Sequence, residues 1–471
     1  MDAFVIRGGR PLSGSIRVNG AKNAALPLMA AALLTDHPVI LRDVPDLTDT
    51  RNMRALLVEL GCQSDTPSAF TDPLSAHPAA HADRGPTAPL TLQTTVQTPH
   101  HARYEIVRTM RASVCVLGPL LARRGRARVA MPGGCAIGDR PIDLHVRGLA
   151  ALGAAVELDA GDVILTAPDA PGGDRRLVGA RVYLGGRFGS TVLGTANVMS
   201  AATLARGRTM IECAACEPEI SDLARLLTAM GARIRGAGTP RITIDGVESL
   251  SGADHTLIPD RIEAGTLMAA AAITRGDVTL TNCPLDALVA FTETLTTAGV
   301  TVEELDARDP LRARCRVRSD APPAPAHVTT QPHPGFPTDL QAQTMALLSL
   351  ARGNSVLTER VFPQRFLHVA ELVRLGAHLE HEGPSVIVSG TERLIGAPVM
   401  ASDLRASAGL VLAGLAAQGE TTVRRVYHLD RGYDQLDAAL ASLGADIRRV
   451  RDGVPVAPAR VGDFPAVPVV A

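Results

Sequence analysis

One pattern recurs six times along this 471-residue chain, and it limits the fold more than any composition figure does. Each copy reads as an apolar helix, a short strand, a polar turn, and an amphipathic helix that closes on a glycine. The copies are "AALLTDHPVILRDV…LLVELG", "LLARRGRARVAMPGG…LAALG", "LARGRTMIECAACEPEISDLARLLTAMG", "ITRGDVTLTNCPLDALVAFTETLTTAG", "LARGNSVLTERVFPQRFLHVAELVRLG" and "LAAQGETTVRRVYHLDRGYDQLDAALASLG". Their closing glycines are Gly61, Gly153, Gly231, Gly299, Gly376 and Gly444. Glycine suits the residue after a helix because it takes the left-handed conformation without a Cβ clash. Strand-like stretches such as "AAVELD" and "AHLEHE" follow, and "RITIDGVESLSGA" (241–253) matches "SVIVSGTERLIGA" (385–397). The chain is too long for one ordinary core, so six copies predict an α/β protein of two domains with three units each. No strand leads into a G-x-G-x-x-G turn, which sets a dinucleotide-binding Rossmann fold aside.

Charge and composition exclude several function classes. The net charge is -1 and the sequence pI about 6.9, without the basic surplus that nucleic acid or anionic membranes attract. Tryptophan is absent and aromatics make up 3%, which argues against base-stacking platforms. The opening "MDAFVIRGGR" has no basic-then-apolar leader, and no apolar run approaches a bilayer span. Seven scattered cysteines predict reduced thiols in a cytoplasmic protein instead of a disulfide framework. "CAAC" at 213–216 lacks a second Cys or His pair, so zinc is not expected there. The Pro-rich stretches 66–90 and 321–337 read as loops or connectors, the first as a flexible surface insertion.

Three groups of residues offer chemistry. In "NGAKNAALP" (19–27), Asn23 reads as a helix cap and Lys22 as either a solvated side chain or an anion contact at a helix start. In "MPGGCAIGDR" (131–140), Cys135 follows two glycines, which free the backbone to move. Arg140 five residues on favours a thiolate. Packing filler, a metal ligand, and a nucleophile or acid on a mobile loop all remain open for Cys135, although its polar surroundings weaken the first two. The third group lies at loop ends of the C-terminal half: Asp339, Arg365, Asp403, Arg405, Asp430 and Arg431. With Lys22, Arg111 and Arg140 they offer cations to a small anion, and arginine grips carboxylate or phosphate in bidentate fashion. The alternative is that each is a surface ion pair of little worth.

Taken together, "NGAKNAALP", "RTMRAS", "PGGCAIGDRPIDLH", "EPEI", "PDRIEAGT", "HPGFPTDLQAQ", "RFLHVAEL", "DLRASAGLVLAG" and "YHLDRGYD" resemble the enolpyruvyl transferase family. The resemblance runs in order from about residue 4 to 450. It implies two inside-out α/β barrels of three repeated units, 22–258 as one and 1–21 plus 259–471 as the other, with the active site between them. It implies transfer of the enolpyruvyl group of phosphoenolpyruvate to a hydroxyl of a uridine nucleotide, with release of phosphate and with no cofactor or metal. The expected acceptor is the 3-hydroxyl of UDP-N-acetylglucosamine, the first committed step towards peptidoglycan. The alternative is the ribose 3'-hydroxyl of UMP in nucleoside-antibiotic assembly. Neither a nucleic-acid nor a membrane partner is expected, and the sequence sets no oligomeric state.

The resemblance also implies roles. Cys135 becomes the acid that protonates the enolpyruvyl methylene, and a thiol open to alkylation by fosfomycin. Asp339 accepts or orients the acceptor's hydroxyl proton, with Lys22 and Arg431 completing the catalytic set. Phosphoenolpyruvate falls to Lys22, Asn23, Arg140, Arg365, Asp403, Arg405 and Arg431. The nucleotide falls to Arg111, Arg140, Pro141, Ile142, Asp143, Leu144, Ser190, Thr191, Val192, Asp339 and Val361. The chain departs from the family's pattern at Arg51-Asn52, at Asp139, at Gly189, at Leu193 in a stretch that usually holds glycine, and in the length of 66–90. Those departures fall on the nucleotide side, where Leu193 is expected to crowd a diphosphate.

Overall fold

The computed structural model of the chain describes residues 2–65, 87–131, 142–170, 173–306 and 308–451. The fold is α/β, with six four-stranded sheets among the described residues. Each repeat supplies a buried helix, then a strand, an outer amphipathic helix and an antiparallel strand pair. In the third unit these are Val192–Ala202, Arg208–Glu212, Pro218–Ala229, Arg233–Arg235 and Arg241–Asp245. All six closing glycines adopt positive φ, between 87° and 107°, so the turn that ends each outer helix requires them.

The fold is inside-out because the first helix of each unit is mostly apolar and is buried on nearly every side. Lys22–Ala31, Leu117–Arg124 and Val192–Ala202 are buried over most or all of their length, and a helix with no polar face must lie in a core. Arg261–Ile273, Gln341–Leu348 and Leu404–Ala416 do the same elsewhere. The sheets wrap outside, with strands alternating buried and exposed residues, as in Ala313–Arg318. Two hydrophobic clusters result. One draws on residues 21 to 258, the other on residues 4 to 18 and 262 to 447.

The N-terminal strand Asp2–Arg7 sits between Glu420–Arg424 and Asp446–Arg451, and Ser13–Arg17 lies parallel to Asp277–Cys283. The chain therefore passes between the clusters twice, near residues 19–21 and 258–260. The two passages are tied together: Ala21 N–H donates to Ile258 O at 2.7 Å and Asp260 N–H to Asn19 O at 2.8 Å. Gly20 has to be glycine, since a Cβ there would collide with the Asp43 carbonyl.

At this crossing Glu263 accepts hydrogen bonds from the Asn19 N–H and side-chain amide, at 3.0 and 2.9 Å. Burial and the neighbouring Asp260 carboxylate push it from an ordinary 4.5 up to about 8. Between those values the folded chain keeps a proton that the unfolded chain has released. Stability is therefore highest below the lower value and falls as pH rises towards the upper one. Glu263→Gln keeps the shape without the ionisation. Its melting temperature is expected to exceed that of the parent at pH 8, by roughly 2–4 °C per kcal/mol recovered. Its melting curve should also change less between pH 5 and 8, which a pH series of thermal melts checks.

Three readings need correction. Helix Lys22–Ala31 begins at Ala21 without a side-chain cap, so Asn23 is inside the helix and caps nothing. Leu90–Thr94 is a strand, which ends the 66–90 loop before Leu90, and residues 66–86 lie outside the described residues. The 321–337 connector contains the strand His327–Thr329, parallel to Asn354–Thr358. Both strands were obscured by their proline-rich flanks. No described helix is long and apolar enough to cross a membrane.

Candidate active site

A cleft of about 1010 Å³ is lined by residues from both clusters. Its walls come from the starts of the buried helices, which places main-chain N–H groups and capping side chains at the opening. Thr191 caps Val192–Ala202 through Gly194 N–H, and Asp403 caps Leu404–Ala416 through the N–H groups of Arg405 and Ala406. Asp339 sits in the short turn Thr338–Leu340 that leads into Gln341–Leu348.

On one wall a carboxylate is held between buried guanidiniums. Arg365 Nη1 lies 2.7 Å from Asp339 Oδ1, and Arg405 Nε lies 3.8 Å from Oδ2. Arg365 also reaches Asp403 at 3.7 Å. Arg405 stacks over the Tyr433 ring, 4.9 Å to the centroid, and donates to the Gly432 carbonyl. Burial alone would raise Asp339, but Arg365 and Arg405 override it and hold the carboxyl well below the usual range. Asp339 is therefore ionised at any physiological pH. Arg365 and Arg405 are 5% and 2% exposed, which rules out the surface-pair reading for both.

The other wall carries a second carboxylate shared by two cations. Lys22 Nζ is 2.8 Å from Asp49 Oδ2, and Arg431 Nε is 3.0 Å from Asp49 Oδ1. Asp49 would rise on burial, and Lys22 and Arg431 pull it down instead. Lys22 belongs to the first cluster's half and Arg431 to the second's, so Asp49 joins the two across the cleft. Lys22 is 8% exposed and is no solvated side chain.

Lys22, Asn23, Arg111, Asp143, Leu144, Ser190, Thr191, Val192, Asp339, Val361, Arg365, Asp403, Arg405 and Arg431 all line this cleft. Ile142 does not; it is buried against the first cluster and packs instead of lining the cavity. Cys135, Asp139, Arg140 and Pro141 lie outside the described residues. The departure at Arg51 has a local cause, since its guanidinium forks onto Asp46 at 2.7 Å on both arms. Leu193 both lines the cleft and packs against the first cluster.

Sequence reading passed over several groups in the cleft and beside it. Asp49 gave no signal beyond being one more acid at a helix start. Glu217 and Glu219, in the quoted "EPEI", line the cleft nearly buried, with Arg261 Nε 3.0 Å from Glu219 and His333 N–H donating to Glu217 at 3.3 Å. Glu359 is fully buried and accepts from the N–H groups of Val361 and Phe362, both at 2.8 Å, and from the Thr338 hydroxyl. It thus ties the Val361 loop to the turn that carries Asp339.

Comparison with known proteins agrees with this architecture. The family model for EPSP synthase (3-phosphoshikimate 1-carboxyvinyltransferase) matches residues 6–440. The chain belongs to that enolpyruvyl transferase family. The transferase is similar to proteins named UDP-N-acetylglucosamine 1-carboxyvinyltransferase. It is 52% identical to one from Anaeromyxobacter sp. (strain Fw109-5) over 95% of this chain and 99% of that one. Against another, from Myxococcus xanthus, identity is 50% over the same shares. Among solved structures, the enolpyruvyl transferase NikO from Streptomyces tendae superposes with a TM-score of 0.80, at 26% identity over 95% of this chain and 98% of that one. EPSP synthase from Acinetobacter baumannii shares the fold, with a TM-score of 0.70, 18% identity and coverage of 96% and 100%.

Proposed function

We propose that this transferase moves the enolpyruvyl group of phosphoenolpyruvate to the 3-hydroxyl of UDP-N-acetylglucosamine and releases phosphate, in the cytoplasm, as an early step of peptidoglycan precursor synthesis. The observation that carries the chemistry is the ionised Asp339 held between two buried arginines, facing the Lys22–Asp49–Arg431 group. The acceptor rests on about 50% identity to enzymes named for it.

The arrangement supports addition followed by elimination. The acceptor O–H adds across the phosphoenolpyruvate double bond: its oxygen bonds C2, and Cys135 delivers a proton to C3, making a methyl group. The hydroxyl proton passes to Asp339. The resulting ketal carries a carboxylate and a phosphate on one carbon, and a water-poor cleft of fixed cations stabilises it. A methyl proton then passes to the Cys135 thiolate left by the first step, the double bond re-forms, and the C2–O bond to phosphate breaks, the leaving phosphate taking the proton held by Asp339.

Before substrate arrives, Asp339 is too well stabilised to be a strong base. Substrate anions drawing on Arg365 and Arg405 would weaken their hold on Asp339 and raise its proton affinity as the acceptor docks. Lys22 and Arg431 take the phosphate end, with Arg140 from the Cys135 stretch. Asn23, Asp403 and Arg111 complete the contacts, and Asp143, Leu144 and Ser190–Val192 with Val361 border the nucleotide. Steady-state phosphate release with phosphoenolpyruvate and UDP-N-acetylglucosamine, UMP or shikimate 3-phosphate tests the reading. Release with the UDP-sugar is expected. Release with UMP or shikimate 3-phosphate alone would overturn the acceptor assignment.

A further inference from the structure

The deep cations of the cleft are committed to carboxylates: Lys22 and Arg431 to Asp49, Arg365 and Arg405 to Asp339, Arg261 to Glu219. Arg187 differs. It lines the same cleft, is exposed and, like the exposed Arg108, has no carboxylate within ion-pairing distance among the described residues. It sits against Phe188, whose ring centroid lies 5.4 Å from the guanidinium carbon. A ring face restrains a guanidinium while leaving its edge N–H groups free for an anion.

The backbone displays this pair on purpose-shaped geometry. Gly186 N–H donates to Gly189 O at 2.8 Å and Gly189 N–H to Gly186 O at 3.2 Å, closing a turn with Arg187 and Phe188 at its tip. Gly189 has φ +102°, and a Cβ there would approach Pro332 Cγ to 3.1 Å. A side chain at 189 would be strained and crowded, so the turn offers charge from Arg187 and not from 189. The tip also borders an adjoining cavity of about 540 Å³, whose lining includes Arg360, Gln331 and Pro332. Two residues beyond the turn, Thr191 caps an 11-residue helix whose first N–H groups favour negative charge.

We infer that Arg187 is a specificity-determining residue of this enzyme, binding the diphosphate of the nucleotide acceptor at the rim of the cleft. The deep cations serve the small anionic substrate, and Arg187, which unlike Arg108 is held by a ring on a turn beside the Thr191-capped helix start, serves the second anionic group. This assignment rests on the acceptor being a nucleotide diphosphate sugar, and it deepens that reading.

The test compares Arg187→Ala and Arg187→Lys with the parent in steady-state assays, together with calorimetric binding of UDP and UMP. A charge-assisted contact of this kind corresponds to about a tenfold change. Arg187→Ala is expected to raise KM for UDP-N-acetylglucosamine about tenfold, with kcat and KM for phosphoenolpyruvate within about twofold. Arg187→Lys should recover part of the loss. UDP binding should weaken more than UMP binding. If the parent turns over the UDP-sugar and Arg187→Ala leaves its KM unchanged, the assignment of Arg187 is overturned while the function stands. If the parent shows no turnover with the UDP-sugar, the acceptor reading falls and takes this inference with it. Equal loss of kcat and of both KM values would mark a folding defect and also count against it.

Discussion

Asp339→Asn is expected to lower kcat by about 10³-fold, within the range that removal of a positioned acid–base group produces. The substitution keeps size and shape but removes the charge that Arg365 holds at 2.7 Å. An amide cannot take the hydroxyl proton, so addition stalls. The same change leaves two nearly buried guanidiniums without their shared partner, which frees them for substrate anions. KM for phosphoenolpyruvate is therefore expected to hold or fall while kcat collapses. The melting temperature should drop, because an uncompensated buried charge costs about 3–5 kcal/mol. Steady-state phosphate release and thermal melts read both effects. A rise in KM with kcat unchanged would assign Asp339 to binding alone.

Lys22→Met is expected to raise KM for phosphoenolpyruvate by at least about tenfold and to lower kcat as well, since a cation that meets developing charge contributes several kcal/mol in a water-poor site. Lys22 is nearly buried and its Nζ lies 2.8 Å from Asp49. Its loss leaves Asp49 to Arg431 alone, and the pull of Asp49 on Arg431 then strengthens at the expense of the ligand. Lys22→Arg restores the charge in a bulkier, forked form and should recover only part of the activity. The acceptor's KM should change little in either variant. An equal rise for both substrates would place Lys22 elsewhere in the cleft.

The architecture was legible because it repeats. Six closing glycines at positive φ and six mostly apolar, buried helices are local demands, and each copy states them again. Two strands escaped notice, Leu90–Thr94 and His327–Thr329, because proline-rich flanks masked short stretches whose pairing partners are distant in sequence. The cleft was less legible. Arg365, Arg405 and Asp339 stand 26 and 66 positions apart at most, yet only folding reveals that they share one buried charge cluster instead of three surface pairs. Asp49 and Arg431 meet across 382 positions, so no local pattern could pair them. Asn23 looked like a cap because caps are polar residues before apolar runs. The helix in fact begins one residue earlier, at Lys22, whose N–H donates to Asp260 from the other passage of the chain.

The most direct test of the central claim is the product formed in D2O. Protonation at C3 makes a methyl group that rotates before a proton is lost, so solvent deuterium must enter the vinyl group. Incubation of the enzyme with phosphoenolpyruvate and UDP-N-acetylglucosamine in D2O, followed by NMR of the product, is predicted to show a carboxyvinyl ether on the sugar's 3-oxygen with deuterium in its methylene. A vinyl ether free of deuterium, or phosphate release with no ether formed, would contradict the account.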